Sequence, residues 1–387
     1  MRWALFAAGF RPTFLAAGLA AALLVPIWAA MYVYGAKLPC GWPPSLWHAH
    51  EMFFGFIGAA IAGFLLTAVP NWTGRKAFAG APLAALIALW LAARVAAATA
   101  SWWPPPFVAV VDVAFFPALA LLVGPSLLRA GKRQIPLLAV LLALAACDAA
   151  FHWEIHRRDA SGALRAIQLA IDVALILVTV IGGRIVPAFT ASALRGSGIA
   201  MRVLPGVGAA AIVAMIAVAV VDALWPDGRL AGLIAGAAAL IQAVRLAQWR
   251  SLRASPMPLV WILHLGYAWM PIGLALKCAA LLGGYAVAAF WLHALTVGTL
   301  ATMILGVMTR AALGHSGRPL QPAARTIVAY WMLLLAGLVR VFGLAVPGIA
   351  YPVVILVAAF LWTSAFTLFL WVYGPILLSA RADGHPG

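Results

Sequence analysis

Charge is what this sequence has least of. Only 9% of its 387 residues are charged, and just nine of them are Asp or Glu. No segment is polar enough to fold alone in water, so the chain reads as a single transmembrane helical domain over residues 1–387. Its three cysteines, Cys40, Cys147 and Cys278, have no CxxC spacing. They imply no disulfide or thiolate framework. A binding motif for a soluble cofactor is missing. So is any clear internal repeat, the feature on which many transporters are built.

Apolar residues fill the gap. They make up 66% of the chain, and mean hydropathy is +1.06. Repeated apolar runs of about 20 residues match a hydrocarbon core of roughly 30 Å. Lipid offers no partner for an unpaired backbone group, so the spans must be helices. An all-α, polytopic integral membrane bundle of about 12 helices follows. The spans fall near 10–34, 46–69, 79–99, 107–129, 134–151, 166–187, 203–224, 230–247, 258–282, 285–308, 324–345 and 350–378. Breakers such as Pro104-Pro105-Pro106 and Trp225-Pro226-Asp227-Gly228 separate them. Trp102, Trp103, Trp225, Trp249 and Trp371 sit near span ends, as an interfacial belt requires. The run from Phe14 to Tyr34 is too long for a signal-peptide core and lacks a cleavage site. It is expected to stay as the first helix.

The net charge of +16 comes from 25 basic residues scattered between apolar runs. That is membrane-loop patterning and excludes a nucleic-acid surface. Lys37, Arg94, Arg157, Arg158, Arg165, Arg229, Lys277 and Arg340 fall on one side, and the other 17 basic residues fall opposite. The excess places both termini in the cytoplasm.

The polar residues inside this apolar chain are the candidates for chemistry. The second span opens on Trp47-His48-Ala49-His50-Glu51-Met52. Ionisable groups at such a position are costly, and imidazole is the commonest metal ligand. On a regular helix His48 and His50 point about 200° apart. They therefore serve two roles, with Glu51 on the face of His48 as an orienting carboxylate. The alternative is a pair hydrogen-bonded at the membrane surface. His264 and His293 are each embedded in apolar sequence, where metal or haem contact competes with a structural role. Tyr267 shares the face of His264. Asp148 precedes His152 by four residues, also on one face. Glu51, Asp112, Asp148 and Asp172 are candidates for an acidic rim, with caps or Arg partners as the plainer reading. Arg184 and Arg310 are placed to bind an anionic group, or simply mark the positive side. His315 lies in a basic loop.

The chain resembles the NnrS family. The strings that carry the resemblance are Gly9–Pro12, Trp47–Met52 with Gly63–Gly74, Gly182–Thr190, His264-Leu265-Gly266-Tyr267, and His293–Thr296 running through Met308–Arg310 to Gly314–Pro319. The resemblance implies a multi-pass protein of the bacterial inner membrane that contains haem, of b-type, and copper. It implies nitric oxide as ligand and a place in denitrification or nitrosative stress. The resemblance carries over to His48, His50, Glu51, His152, His264, His293, His315, Arg184 and Arg310.

The distribution of the two cofactors is then argued from depth and helix face. His50 and His293 lie at similar depth and form the expected haem pair, with His264 as substitute and Arg184 and Arg310 as propionate partners. His48 and His152 are the expected copper ligands, with Glu51, Asp148 and Tyr267 behind the ligands. His315 is a further candidate. No residue is assigned a catalytic role. Reduction of nitric oxide would make the protein an oxidoreductase drawing electrons from quinol or a redox protein, whereas binding alone would make it protective. The rival class is a secondary transporter of a metal or small anion without haem, supported by the twelve-span count and the intramembrane charges.

Overall fold

The structure is a computed structural model that describes residues 4–131, 135–195 and 204–385. Arg2, Lys132, Arg133 and Arg202 of the charge pattern lie outside the described residues. Every regular element among the described residues is helical. Among the described residues, twelve helices are long and apolar enough to cross a bilayer, the architecture of a multi-pass membrane protein. They are α1 (Phe10–Tyr34), α2 (Pro44–Thr73), α3 (Ala81–Ala98), α4 (Pro105–Arg129), α5 (Ile135–His156), α6 (Ala160–Ala193), α7 (Val207–Leu224), α8 (Arg229–Ala247), α9 (Pro258–Gly283), α10 (Ala286–His315), α11 (Ala324–Ala345) and α12 (Tyr351–Leu378).

Observed helices and expected spans correspond one to one. The largest differences are at α6 and α10, which run past their apolar stretches. Hydropathy marks where apolar sequence ends, but a helix ends where its backbone bonding is capped. At α6 the carboxylate Oδ1 of Asp159 accepts from the backbone N–H groups of Ser161 (3.0 Å) and Gly162 (2.9 Å). Such a cap satisfies donors that the first turn leaves open.

Many outward side chains are apolar: Leu121 is 78% exposed and Leu240 71%. In water a band of such residues would aggregate, whereas lipid accepts it. Prolines interrupt α1, α2, α6, α9 and α12 at Pro26, Pro70, Pro187, Pro271 and Pro375. Membrane helices tolerate them because local neighbours satisfy the freed carbonyls.

The helices gather into two compact units. The first holds Met1–Ala170, Met308–Leu320 and Trp362–Gly387; the second holds Ile171–Val307 and Gln321–Leu361. In the first unit α1 and α2 approach closely at Gly63, where a Cβ would sit 2.4 Å from Thr13 Oγ1. Small residues permit this contact between membrane helices. Arg11 donates to the carbonyls of Ile376 (3.3 Å), Leu377 (3.2 Å) and Ser379, closing the end of α12. In the second unit Gly298 of α10 receives the Trp269 ring of α9, 2.4 Å from where a Cβ would lie.

Among the described residues, two helices contain a π segment. In α2, residues Glu51–Ile57 wind as a π-helix, and in α10 so do Ala294–Ala301. Each π segment begins one residue after a histidine, His50 and His293. A π turn bonds i to i+5, is rare, and concentrates at functional positions.

Candidate metal centre

The irregular start of α2 positions the most concentrated polar group in the first unit. Pro44–His50 is regular α-helix, so His48 and His50 diverge as their spacing requires. The His48 ring stacks on Trp28, with centroids 4.0 Å apart. His50 turns instead to α4 and α5. Its Nε2 lies 3.1 Å from Asp112 Oδ2 and 3.3 Å from Asp148 Oδ1. Its Nδ1 lies 3.1 Å from Glu51 Oε1. The winding change at Glu51 brings neighbouring side chains onto one imidazole. Glu51 thus orients His50, where sequence spacing placed it on the face of His48.

His152 completes the group. Its Nε2 is 3.2 Å from Asp112 Oδ2 and 3.8 Å from Asp148 Oδ1. The i,i+4 spacing of Asp148 and His152 on α5 does place both on one face, as expected. One ligand atom from each of His50, Asp112, Asp148 and His152 lies within 4.8 Å of the others, and all four residues are buried. Arg94 of α3 enters from the side. Its Nη1 donates to Glu51 Oε1 at 2.7 Å and its Nη2 donates to Asp112 Oδ1. Gly55 makes room for it, since a Cβ there would meet Arg94 Cδ at 3.2 Å. The Gly55 carbonyl, within the π segment, accepts from Trp90 Nε1 at 3.0 Å.

Aromatic rings close the surroundings. Phe151 lies 4.6 Å and Phe54 5.0 Å from the His50 ring, and Trp42 presents to both imidazoles at 5.2 and 5.7 Å. With water excluded, charge balance matters. Glu51, Asp112 and Asp148 against Arg94 leave two negative charges when the imidazoles are neutral. A divalent cation cancels that excess. The donor set of two imidazoles and two carboxylates suits copper, zinc, iron or nickel.

The other expected residues lie elsewhere. His293 belongs to the second unit and His50 to the first. His293 is half-buried, with the Phe290 ring 6.2 Å away. His264 is held at both ring nitrogens: Nε2 by Thr190 Oγ1 (2.8 Å) and Nδ1 by Ser251 Oγ (2.9 Å). Tyr267 donates to Gln242 Oε1 (2.5 Å) and accepts from Arg245 Nη1 (3.2 Å), rather than serving His264. Arg184 is exposed and Arg310 is half-buried. The His315 ring lies 5.8 Å from Phe10, and its carbonyl accepts from Arg381 at 3.1 Å. Of the expected acidic rim, Glu51, Asp112 and Asp148 meet, whereas Asp172 belongs to the second unit.

Asp112 as a shared oxygen donor and Arg94 as its counter-ion were not legible in the sequence. Three of only nine acids near one end of neighbouring spans was the signal available.

These features define a class: an all-helical, multi-pass membrane protein with a buried two-His, two-Asp cluster. The NnrS family model, described as NnrS protein, matches residues 4–381, and the chain belongs to that family. Membership suggests a function related to nitric oxide. No curated protein matches the chain.

Proposed function

We propose that this protein is a copper-binding, haem-containing protein of the bacterial inner membrane that handles nitric oxide. The metal ligands in this reading are His50, Asp112, Asp148 and His152. The single observation that carries it is the buried convergence of these four residues, with ligand atoms within 4.8 Å of one another. With both imidazoles neutral, as metal ligands are, a divalent ion balances the two excess carboxylate charges. Breaking or under-balancing a buried charge group costs several kcal/mol, on the order of 3–5. Copper at the centre would supply electron-transfer and ligand-binding capacity. The chain's own residues do the rest: Glu51 fixes the His50 ring through Nδ1, Arg94 holds Glu51 and Asp112, and the aromatic rings exclude water.

The copper ligands are therefore read as His50 with His152, in place of His48 with His152. The haem reading shifts accordingly. An iron at His50 Nε2 would have to displace the Asp112 and Asp148 carboxylates, and one at His264 Nε2 would have to displace Thr190. His293, at the start of the second π segment, is kept as an axial candidate. Nitric oxide partitions into lipid, so the protein needs no polar route to admit it.

The test is metal analysis of the purified full chain with an absorption spectrum of the same sample. About one copper per chain, reduced severalfold in Asp112→Asn, is the expected result. Copper-free wild-type protein reconstituted with copper that shows no retention would overturn the metal reading. A preparation with no Soret band would overturn the haem reading separately.

A further inference from the structure

A second buried cluster lies in the second unit, and the metal reading does not use it. Asp172 on α6, Asp222 on α7 and Lys277 on α9 meet there. Lys277 Nζ donates to Asp222 Oδ2, with both side chains 1% exposed. The Asp172 carboxyl lies beside that of Asp222, and Asp172 is 2% exposed. Asp172 Oδ2 is buried with no hydrogen-bond partner. The Trp291 ring covers the Lys277 ammonium at 4.7 Å.

We propose that Asp172, Asp222 and Lys277 form a proton-binding site inside the membrane, with one exchangeable proton held on the carboxyl pair. Two ionised carboxylates offer only acceptors to each other and repel, so burying them side by side in apolar surroundings calls for a proton. With that proton present the triad is neutral: one ammonium, one carboxylate and one carboxylic acid. Apolar helix surroundings tolerate that state far better than a net charge. Asp222 on α7 and Lys277 on α9 are the charged groups beside Asp172. Lys277 is committed to Asp222, so Asp172 carries the proton. Its loss leaves one net negative charge, which marks this as a loading site and not a closed ion pair. The structural alternative is a proton locked permanently between the two acids. The inference stands independently of the metal cluster, whose residues all lie in the first unit.

Infrared spectroscopy of the full chain in lipid nanodiscs at neutral pH tests it. Wild type should show the carbonyl stretch of a protonated carboxylic acid, absent in Asp172→Asn. Transfer to D2O should shift that band to lower frequency. Superimposable spectra of wild type and Asp172→Asn in that region would overturn the proposal, and so would a band that never shifts in D2O. If circular dichroism shows Asp172→Asn to be misfolded, Lys277→Met replaces it. Removing the ammonium leaves Asp222 without its counter-ion, so the band should grow about twofold. An unchanged band in Lys277→Met would overturn the proposal.

Discussion

His50 and His152 share one oxygen. Asp112 Oδ2 lies 3.1 Å from the first imidazole and 3.2 Å from the second, so one carboxylate on α4 couples histidines from α2 and α5. Because that oxygen serves both rings, Asp112 should be the most sensitive position in the cluster. Asp112→Asn is expected to lower copper per chain severalfold, and by more than Asp148→Asn. Inductively coupled plasma mass spectrometry on both variants measures this, and equal retention would argue against the shared ligand.

His48 provides the contrast. Its ring stacks on Trp28 while its neighbour at position 50 faces the carboxylates. His48→Ala should retain wild-type copper, while His152→Ala should lose most of it. Loss of copper in His48→Ala would restore the pairing of His48 with His152.

Arg94 is the only arginine or lysine paired with the cluster among the described residues. Arg94→Ala would leave Glu51 and Asp112 buried without their partner, at a cost of about 3–5 kcal/mol. A thermal melt in detergent should show a marked fall in midpoint. Added copper should recover part of that loss in Arg94→Ala, because the ion supplies positive charge to the same carboxylates.

The two remaining apolar histidines should separate spectroscopically. His293→Ala should abolish or strongly shift the haem spectrum, whereas His264→Ala should leave it close to wild type. The reason is that His264 already uses both ring nitrogens on Thr190 and Ser251. The reverse pattern would move the haem to α9.

Orientation is tested by fusion. The 17 basic residues on one side predict that a reporter placed after Gly387 behaves as cytoplasmic. Periplasmic reporter activity would invert the whole arrangement.

The sequence alone determined the class of structure. Twelve apolar stretches bounded by Pro, Gly and basic residues leave helices as the only way to satisfy backbone groups in lipid. It also singled out His48–Glu51, His152, His264 and His293, because ionisable groups stand out in a chain with so little charge. The i,i+4 relation of Asp148 to His152 was readable for the same reason: both lie on one regular helix. Tertiary structure decided which of these residues meet. Asp112 and Arg94 reach the cluster from α4 and α3, and a sequence carries no direct record of which helix faces which. The π segment after His50 placed Glu51 on His50 and not on His48, a change of winding that the 3.6-residue period cannot foresee. His264 was satisfied by Thr190 and Ser251, hydroxyls that look unremarkable in one dimension. Pattern fixes each helix and its faces; only packing fixes the partner across the gap, and that partner decides whether a buried histidine is a ligand or a structural group.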